Sequence, residues 1–301
     1  MKITYLILAH RYPEQLFRLV DRLNNTGVNF LVHIDKKVDE QTYDLIVNKL
    51  EPLGNVFFIE RYKCYWAGFG IAQATYQGLK ESLDRNLSFD YLCLMSGQDY
   101  PIKTNEYIQS YLEKHNGKSF INTRPFPNPL WTRHNGGFDR IHNWYYINSK
   151  NQYGFPHKLF SSRPTISKLI SNTLGKVVPK RKFPSKYKPY GGAQFWALHK
   201  THVDYVVKNI MDNPDYFNFF KNVMVPDEIL FQTIMGNHPD IKDEAVNDTL
   251  HFLEWNRKGA TLIMRDKENI ANTYHLFARK FDTNVDAEIL DWIDVNILNR
   301  K

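Results

Sequence analysis

Asp227 and Glu228 stand just ahead of an apolar run, in Val225-Pro226-Asp227-Glu228-Ile229-Leu230-Phe231-Gln232-Thr233-Ile234. Acidic side chains at a helix start commonly cap its free N–H groups and complement its dipole, and Asp227 fits that role. Glu228, one residue further in, is then free to face a cleft. A single carboxylate there suits a displacement in which one general base takes the proton of an attacking hydroxyl. Arg279-Lys280 lies between Phe277 and Phe281. A cation held among apolar groups needs an anionic partner, either an internal carboxylate or a bound phosphate. Trp66-Ala67-Gly68-Phe69-Gly70 sets a large ring beside flexible backbone, which fits either close approach of a ligand or a packed turn. Ser96-Gly97-Gln98-Asp99-Tyr100-Pro101 closes an apolar run with a turn. Asp-x-Asp turns hold divalent metals in many nucleotide-sugar sites. Here the first position of such a pair holds Ser96 or Gly97, so no metal is expected.

These residues need elements to position them. Ile3 to Ala9 is a near-continuous apolar run of the kind that buried parallel strands show. Pro13 opens a helix whose apolar face is Leu16, Leu19, Val20 and Leu23. Strands at 30–34, 56–59 and 91–95 alternate with helices at 43–50 and 71–83, the signature of a parallel sheet wrapped by helices. In such sheets ligands sit beyond the carboxyl ends of the strands. His10, Asp35 and the turn 96–99 all fall at those ends. Periodicity weakens between 124 and 190. There Lys176, Lys180, Arg181, Lys182, Lys186 and Lys188 form a basic run with three prolines. It reads as a solvated loop or as a loop that meets an anionic acceptor or membrane surface. Order resumes at Gly191-Gly192-Ala193-Gln194-Phe195-Trp196, a glycine turn feeding a strand. Helices are expected at 201–211 and 227–235, with an acidic helical tail.

The 301 residues carry 39 basic and 32 acidic side chains, a net charge of +7. That balance suits an anionic ligand or surface. Aromatic residues make up 15% of the chain, and hydrophobic residues 43%, enough for a substantial core. The two cysteines, Cys64 and Cys93, form no disulfide framework or metal knuckle and read as buried, reduced thiols. No run of about 18 apolar residues occurs to span a membrane.

Taken in order, the motifs resemble a known family. They are Leu8-Ala9-His10, Val32-His33-Ile34-Asp35-Lys36-Lys37, Trp66-Ala67-Gly68-Phe69, Leu94 to Thr104, Gly191 to Trp196, Pro226-Asp227-Glu228 and Phe277 to Asp282. The set resembles the core-2/I-branching β-1,6-N-acetylglucosaminyltransferases and peptide O-xylosyltransferases, glycosyltransferase family 14. The resemblance implies an α/β, GT-A-like fold with a mostly parallel central sheet flanked by helices. It implies one domain over 1–301: a nucleotide-binding half (1–122), an irregular acceptor-side insertion (123–190) and a catalytic, diphosphate-binding half (191–301). It further implies a UDP-sugar donor, GlcNAc favoured and xylose the other choice, and inversion without a metal or other cofactor. Glu228 matches the catalytic base and Arg279 and Lys280 the cations that hold the diphosphate. Asp35 matches a residue near the nucleoside, and Trp66 and Asp99 lie in donor-site motifs. His10, Gln194 and Trp196 complete the expected substrate-binding set, although an acidic residue often stands where Gln194 is. The secretory members carry an anchor, a stem and many cysteines. The expectation is therefore a cytoplasmic bacterial relative that acts on a glycan or lipid-linked glycan at the inner membrane face. A catalytically inactive carbohydrate-binding protein would keep the aromatics without needing Glu228. A nucleic-acid binder is disfavoured by the dispersed acidic residues.

Overall fold

The computed structural model describes residues 1–149, 152–155, 178–254 and 260–299. The first half alternates as expected. It runs β1 (Ile3–Ala9), α1 (Pro13–Leu23), β2 (Val28–Ile34), α2 (Glu40–Leu50), β3 (Val56–Phe58), α3 (Phe69–Asp84) and β4 (Tyr91–Ser96). The expected helices are longer than their apolar cores because polar residues extend them. Asp39, for example, caps α2 by accepting from the amide of Thr42. After β5 (Asp99–Pro101) and α4 (Asn105–Lys114) come β6 (Ser119–Phe120), β7 (Arg124–Pro125), α5 (Phe138–His142), β8 (Trp144–Ile147) and β9 (Gln152–Phe155). Then follow β10 (Tyr190–Gly191), β11 (Trp196–His199), β12 (Ala245–Val246), β13 (His251–Leu253) and β14 (Phe277–Arg279).

The main sheet has seven strands in the order β12-β6-β11-β4-β1-β2-β3. β1 pairs in parallel with β2 and β4, and β2 with β3, whereas β11 runs antiparallel to both β4 and β6. All strands but β11 therefore point one way. A smaller sheet, β13-β14-β5, stands beyond the end of β4. Strand alternation divides the core between two faces. Ile3, Tyr5 and Ile7 pack with α1 and the helix Glu288–Asn296 on one side. Leu6, Leu31, Leu94 and Trp196 pack with α3 and the helices Lys200–Asp212 and Leu230–Gly236 on the other. Cover on both faces is why β1 reads as continuously apolar. Each such fully buried aliphatic side chain contributes roughly 1.5–3 kcal/mol relative to exposure.

One expected helix is broken. Residues 227–235 were expected to form a single helix, but Pro226–Glu228 is a 3-10 turn, and the α-helix starts at Leu230 after Ile229 departs to φ −130°. Among the described residues, no helix is long and apolar enough to cross a membrane.

Candidate active site at the carboxyl edge of the sheet

Glu228 ends the turn Pro226–Glu228, which Val225 enters in the left-handed conformation at φ 54°. Pro226 then fixes the next φ and has no N–H to leave unpaired. The amide of Gly192 donates to the Glu228 carbonyl at 2.9 Å, and the amide of Val225 to the carbonyl of Ala67 at 2.9 Å. Buried Gln232 donates through Nε2 to the carbonyls of Ala193 (2.8 Å) and Asp227 (3.2 Å). The glycine turn, the Trp66 loop and the Glu228 turn are thus one bonded unit. Gly192 is required there, because a Cβ would lie 2.1 Å from the carbonyl oxygen of Asn122.

The Glu228 side chain is 30% exposed, and Nη1 of Arg140, on α5, donates to its Oε2 at 2.7 Å. The Arg140 guanidinium lies 3.8 Å from the Trp131 ring centroid, which fixes its plane. Burial pushes the Glu228 carboxyl above its ordinary range, and Arg140 pulls part of that back. The result is a held, partly open carboxylate suited to accepting a proton. Asp227 differs and corrects the sequence expectation. It does not cap a helix: its side chain is buried, and its Oδ1 has no hydrogen-bond partner. Burial, reinforced by Glu228, raises its carboxyl to about 7.

The Arg279-Lys280 pair divides its work. Antiparallel pairing of β14 with β5 sets Arg279 opposite Asp99. Asp99 is fully buried and accepts from the amide (2.8 Å) and hydroxyl (2.7 Å) of Ser96. Nε of Arg279 stands 3.2 Å from its Oδ1, and His251 Nε2 lies 3.5 Å from Oδ2. Burial pushes the Asp99 carboxyl up, but Arg279, His251 and Ser96 hold it below its ordinary value. So engaged, Asp99 is an anchor for Arg279 and not a second candidate base. The Arg279 guanidinium also lies 3.9 Å from the centroid of Phe195, a contact that the sequence did not signal. Lys280 makes no ion pair among the described residues.

Beside this sheet, at the ends of β1 and β2, is a pocket of about 420 Å³ lined by His10, Arg11, Asp35, Lys37 and Thr42 among others. Asp35 is buried, accepts from the amide of Lys37 at 2.9 Å and pairs with its Nζ at 3.2 Å. Arg11 donates to Gln98 Oε1 at 3.0 Å, which ties the pocket to the 96–99 turn. Burial, Arg11, Lys37 and Lys280 together lower His10 against the pull of Asp35. Burial, Arg11 and Arg279 lower Lys280 against Asp282. Arg11, Lys37, Arg279 and Lys280 stand at this edge with Asp35, Asp99 and Asp282, and Lys280, which makes no ion pair among the described residues, is left to meet an anion.

The family model for the Core-2/I-branching enzyme matches residues 3–276. The chain belongs to the Core-2/I-branching enzyme family. Among curated proteins it is similar to xylosyltransferase 2 of Rattus norvegicus, 23% identical over 99% of this chain and 34% of the relative. It is also similar to xylosyltransferase 1 of Homo sapiens, 21% identical over 98% of this chain and 30% of the relative. The chain spans about a third of the length of the curated relatives it matches. Among solved structures, the galactosyltransferase LgtC in complex with donor and acceptor sugar analogues gives a TM-score of 0.43 at 9% identity, over 98% of this chain and 96% of that one. The mostly parallel sheet with flanking helices is the GT-A-like architecture expected of the family.

Within that frame the expected site residues separate. Glu228, Arg279, Lys280, Asp99, His10 and Asp35 gather at the carboxyl edge. Trp66 is 67% exposed on the loop bonded to Val225, so it is not the packed turn residue that was one reading. Gly70 serves that loop itself, since a Cβ would fall 2.2 Å from the Lys63 carbonyl oxygen. Gln194 is half-buried at the glycine turn. Trp196 does not join the site. It is 0% exposed in β11 and packs on Phe231, because strand alternation turns it into the core. The basic run also divides. Lys176 lies outside the described residues, Lys180, Lys182, Lys186 and Lys188 are exposed, and Arg181 is buried against Trp144 and Phe219. Cys93 is buried as expected, whereas Cys64 is only half-buried. Sequence reasoning missed Arg140 and Phe195. Their role depends on contacts across more than 80 residues, for which no local pattern exists.

Proposed function

We propose that the chain is an inverting, metal-independent glycosyltransferase that moves a sugar from a UDP-sugar to an acceptor hydroxyl. The observation that carries this is Glu228: a held, partly open carboxylate at an edge where Arg11, Arg279 and Lys280 also stand, Lys280 without an ion pair among the described residues. Glu228 takes the acceptor hydroxyl's proton while that oxygen bonds to the anomeric carbon. The bond from that carbon to the diphosphate oxygen breaks on the opposite face, and its electrons leave with UDP. Lys280, Arg11 and the free edge of Arg279 stabilise the growing diphosphate charge. The nucleoside occupies the pocket lined by His10 and Asp35.

GlcNAc is the favoured donor sugar. Xylose is the second reading, supported by the names of the curated relatives. The acceptor is a glycan or lipid-linked glycan of surface-polysaccharide synthesis, at the cytoplasmic face of the membrane. The four exposed lysines between 180 and 188 support an anionic acceptor or lipid surface. The test is UDP release against UDP-GlcNAc, UDP-xylose, UDP-glucose and UDP-galactose, for the wild type and Glu228→Gln. Sugar binding without Glu228-dependent UDP release from any donor would replace this reading with that of an inactive carbohydrate-binding protein.

A further inference from the structure

A second cluster of chemistry-bearing side chains stands far from this edge. His202 lies in the first turn of the helix Lys200–Asp212, His238 in the loop after the helix Leu230–Gly236, and Glu244 at the end of the short helix Ile241–Glu244. Because β11 is reversed, the helix that follows it starts where β4 begins, with His199 opposite Tyr91. The cluster therefore sits at the amino edge of the parallel strands, opposite Glu228 and Lys280.

We propose that His202, His238 and Glu244 form a structural site for a divalent transition-metal ion, with zinc the best match. Their ligand atoms all lie within 4.8 Å of one another. His202 Nε2 is 3.1 Å, and His238 Nδ1 3.8 Å, from the same carboxylate oxygen of Glu244. Ligands about 2.0–2.1 Å from a tetrahedral zinc are roughly 3.3 Å apart, so the two spacings bracket that geometry. The outer partners are also those of a metal-bound histidine. Nδ1 of buried His202 meets the hydroxyl of Ser119 at 2.8 Å, and that hydroxyl accepts the amide of His199. The imidazole can thus donate from Nδ1 and offer its Nε2 lone pair to the ion. Tyr205 packs edge-on against His238 at 4.5 Å between centroids and steadies that ring. His238 Nδ1 takes a 3.2 Å bond from the amide of Asp240, which a bound ion displaces. Two imidazoles and one carboxylate suit zinc and its neighbours but not calcium or magnesium, which require oxygen donors. A water completes the shell. The ion would tie the helix after β11 to the turn feeding β12, the last strand on that edge of the main sheet.

The test uses untagged protein stripped of metal. Equilibrium dialysis with zinc should give one equivalent bound, and cobalt should give the intense visible bands of a tetrahedral ion. Zinc should raise the Tm of the wild type. Glu244→Gln and His238→Ala alter partly exposed groups, so both should fold; each should lose the cobalt bands, weaken zinc at least tenfold and abolish the Tm shift. Turnover of the metal-stripped wild type at low temperature should persist, which separates this site from the transfer chemistry. Absence of stoichiometric zinc in the wild type, or equal binding by both variants, overturns the proposal and leaves a hydrogen-bonded histidine–glutamate pair.

Discussion

Glu228→Gln keeps the shape and the contact to Arg140 but cannot accept a proton. Its kcat should fall roughly 10²–10⁴-fold. UDP affinity by calorimetry should stay near wild type, because in the proposed reaction the carboxylate faces the acceptor. Normal turnover would make Glu228 a merely structural carboxylate. Asp227 answers to a different experiment. Its folded-state pKa of about 7 lies above the ordinary 3.8, so between those values the folded state holds more proton than the unfolded one. Stability therefore falls as pH rises from about 4 to about 7 and levels off above. Asp227→Asn should flatten that fall and raise Tm at pH 8, read by thermal melts across pH. A loss of stability at pH 8 would mean that the carboxylate has a partner. The sequence suggested a helix cap here, on the statistical preference of Asp for that position. Val225 in the left-handed region followed by Pro226 overrides that preference by winding a 3-10 turn ahead of the helix. Glu228 was singled out as a candidate base by its place before an apolar run and by the family resemblance, but the partner that holds it, Arg140, was not legible.

At the scale of elements, α5 holds the Glu228 side chain through Arg140, and the glycine turn holds its backbone through Gly192. Arg140 lowers the Glu228 pKa, so Arg140→Gln should raise it. The acidic limb of kcat/KM against pH should then move to higher pH, with less active base at any pH on that limb. An unmoved limb would assign Arg140 to packing against Trp131 alone. Gly192→Ala drives a Cβ into the Asn122 carbonyl and displaces the amide that holds the Glu228 backbone. Both kcat and Tm should drop, while UDP affinity is retained, since the pocket of His10 and Asp35 belongs to other strands. Wild-type kcat in that variant would remove the glycine turn from the catalytic unit. The long strands were legible because cover on both faces makes them continuously apolar. β6, β7, β10 and β12 were not, because two residues cannot display a period.

For the whole molecule, the proposed absence of a catalytic metal is tested by timing. Excess chelator should leave the initial rate unchanged, because Arg279 and Lys280 supply the positive charge. Complete loss that Mn²⁺ or Mg²⁺ restores would overturn metal-independent transfer. The topology adds a consequence for how the protein is made. β14 is the middle strand of its sheet, between β13 and β5, and it carries Arg279 to Asp99 across some 180 positions of chain. A ribosome completes the first four strands of the main sheet long before Arg279 exists. Until then Asp99 has neither Arg279 nor His251, and Lys280 is absent from the edge that carries His10 and Asp35. Under the proposed function, the nascent chain can thus acquire most of its parallel core while unable to spend activated sugar. Competence, on that reading, waits until β14 slides into a slot framed by β13 and β5.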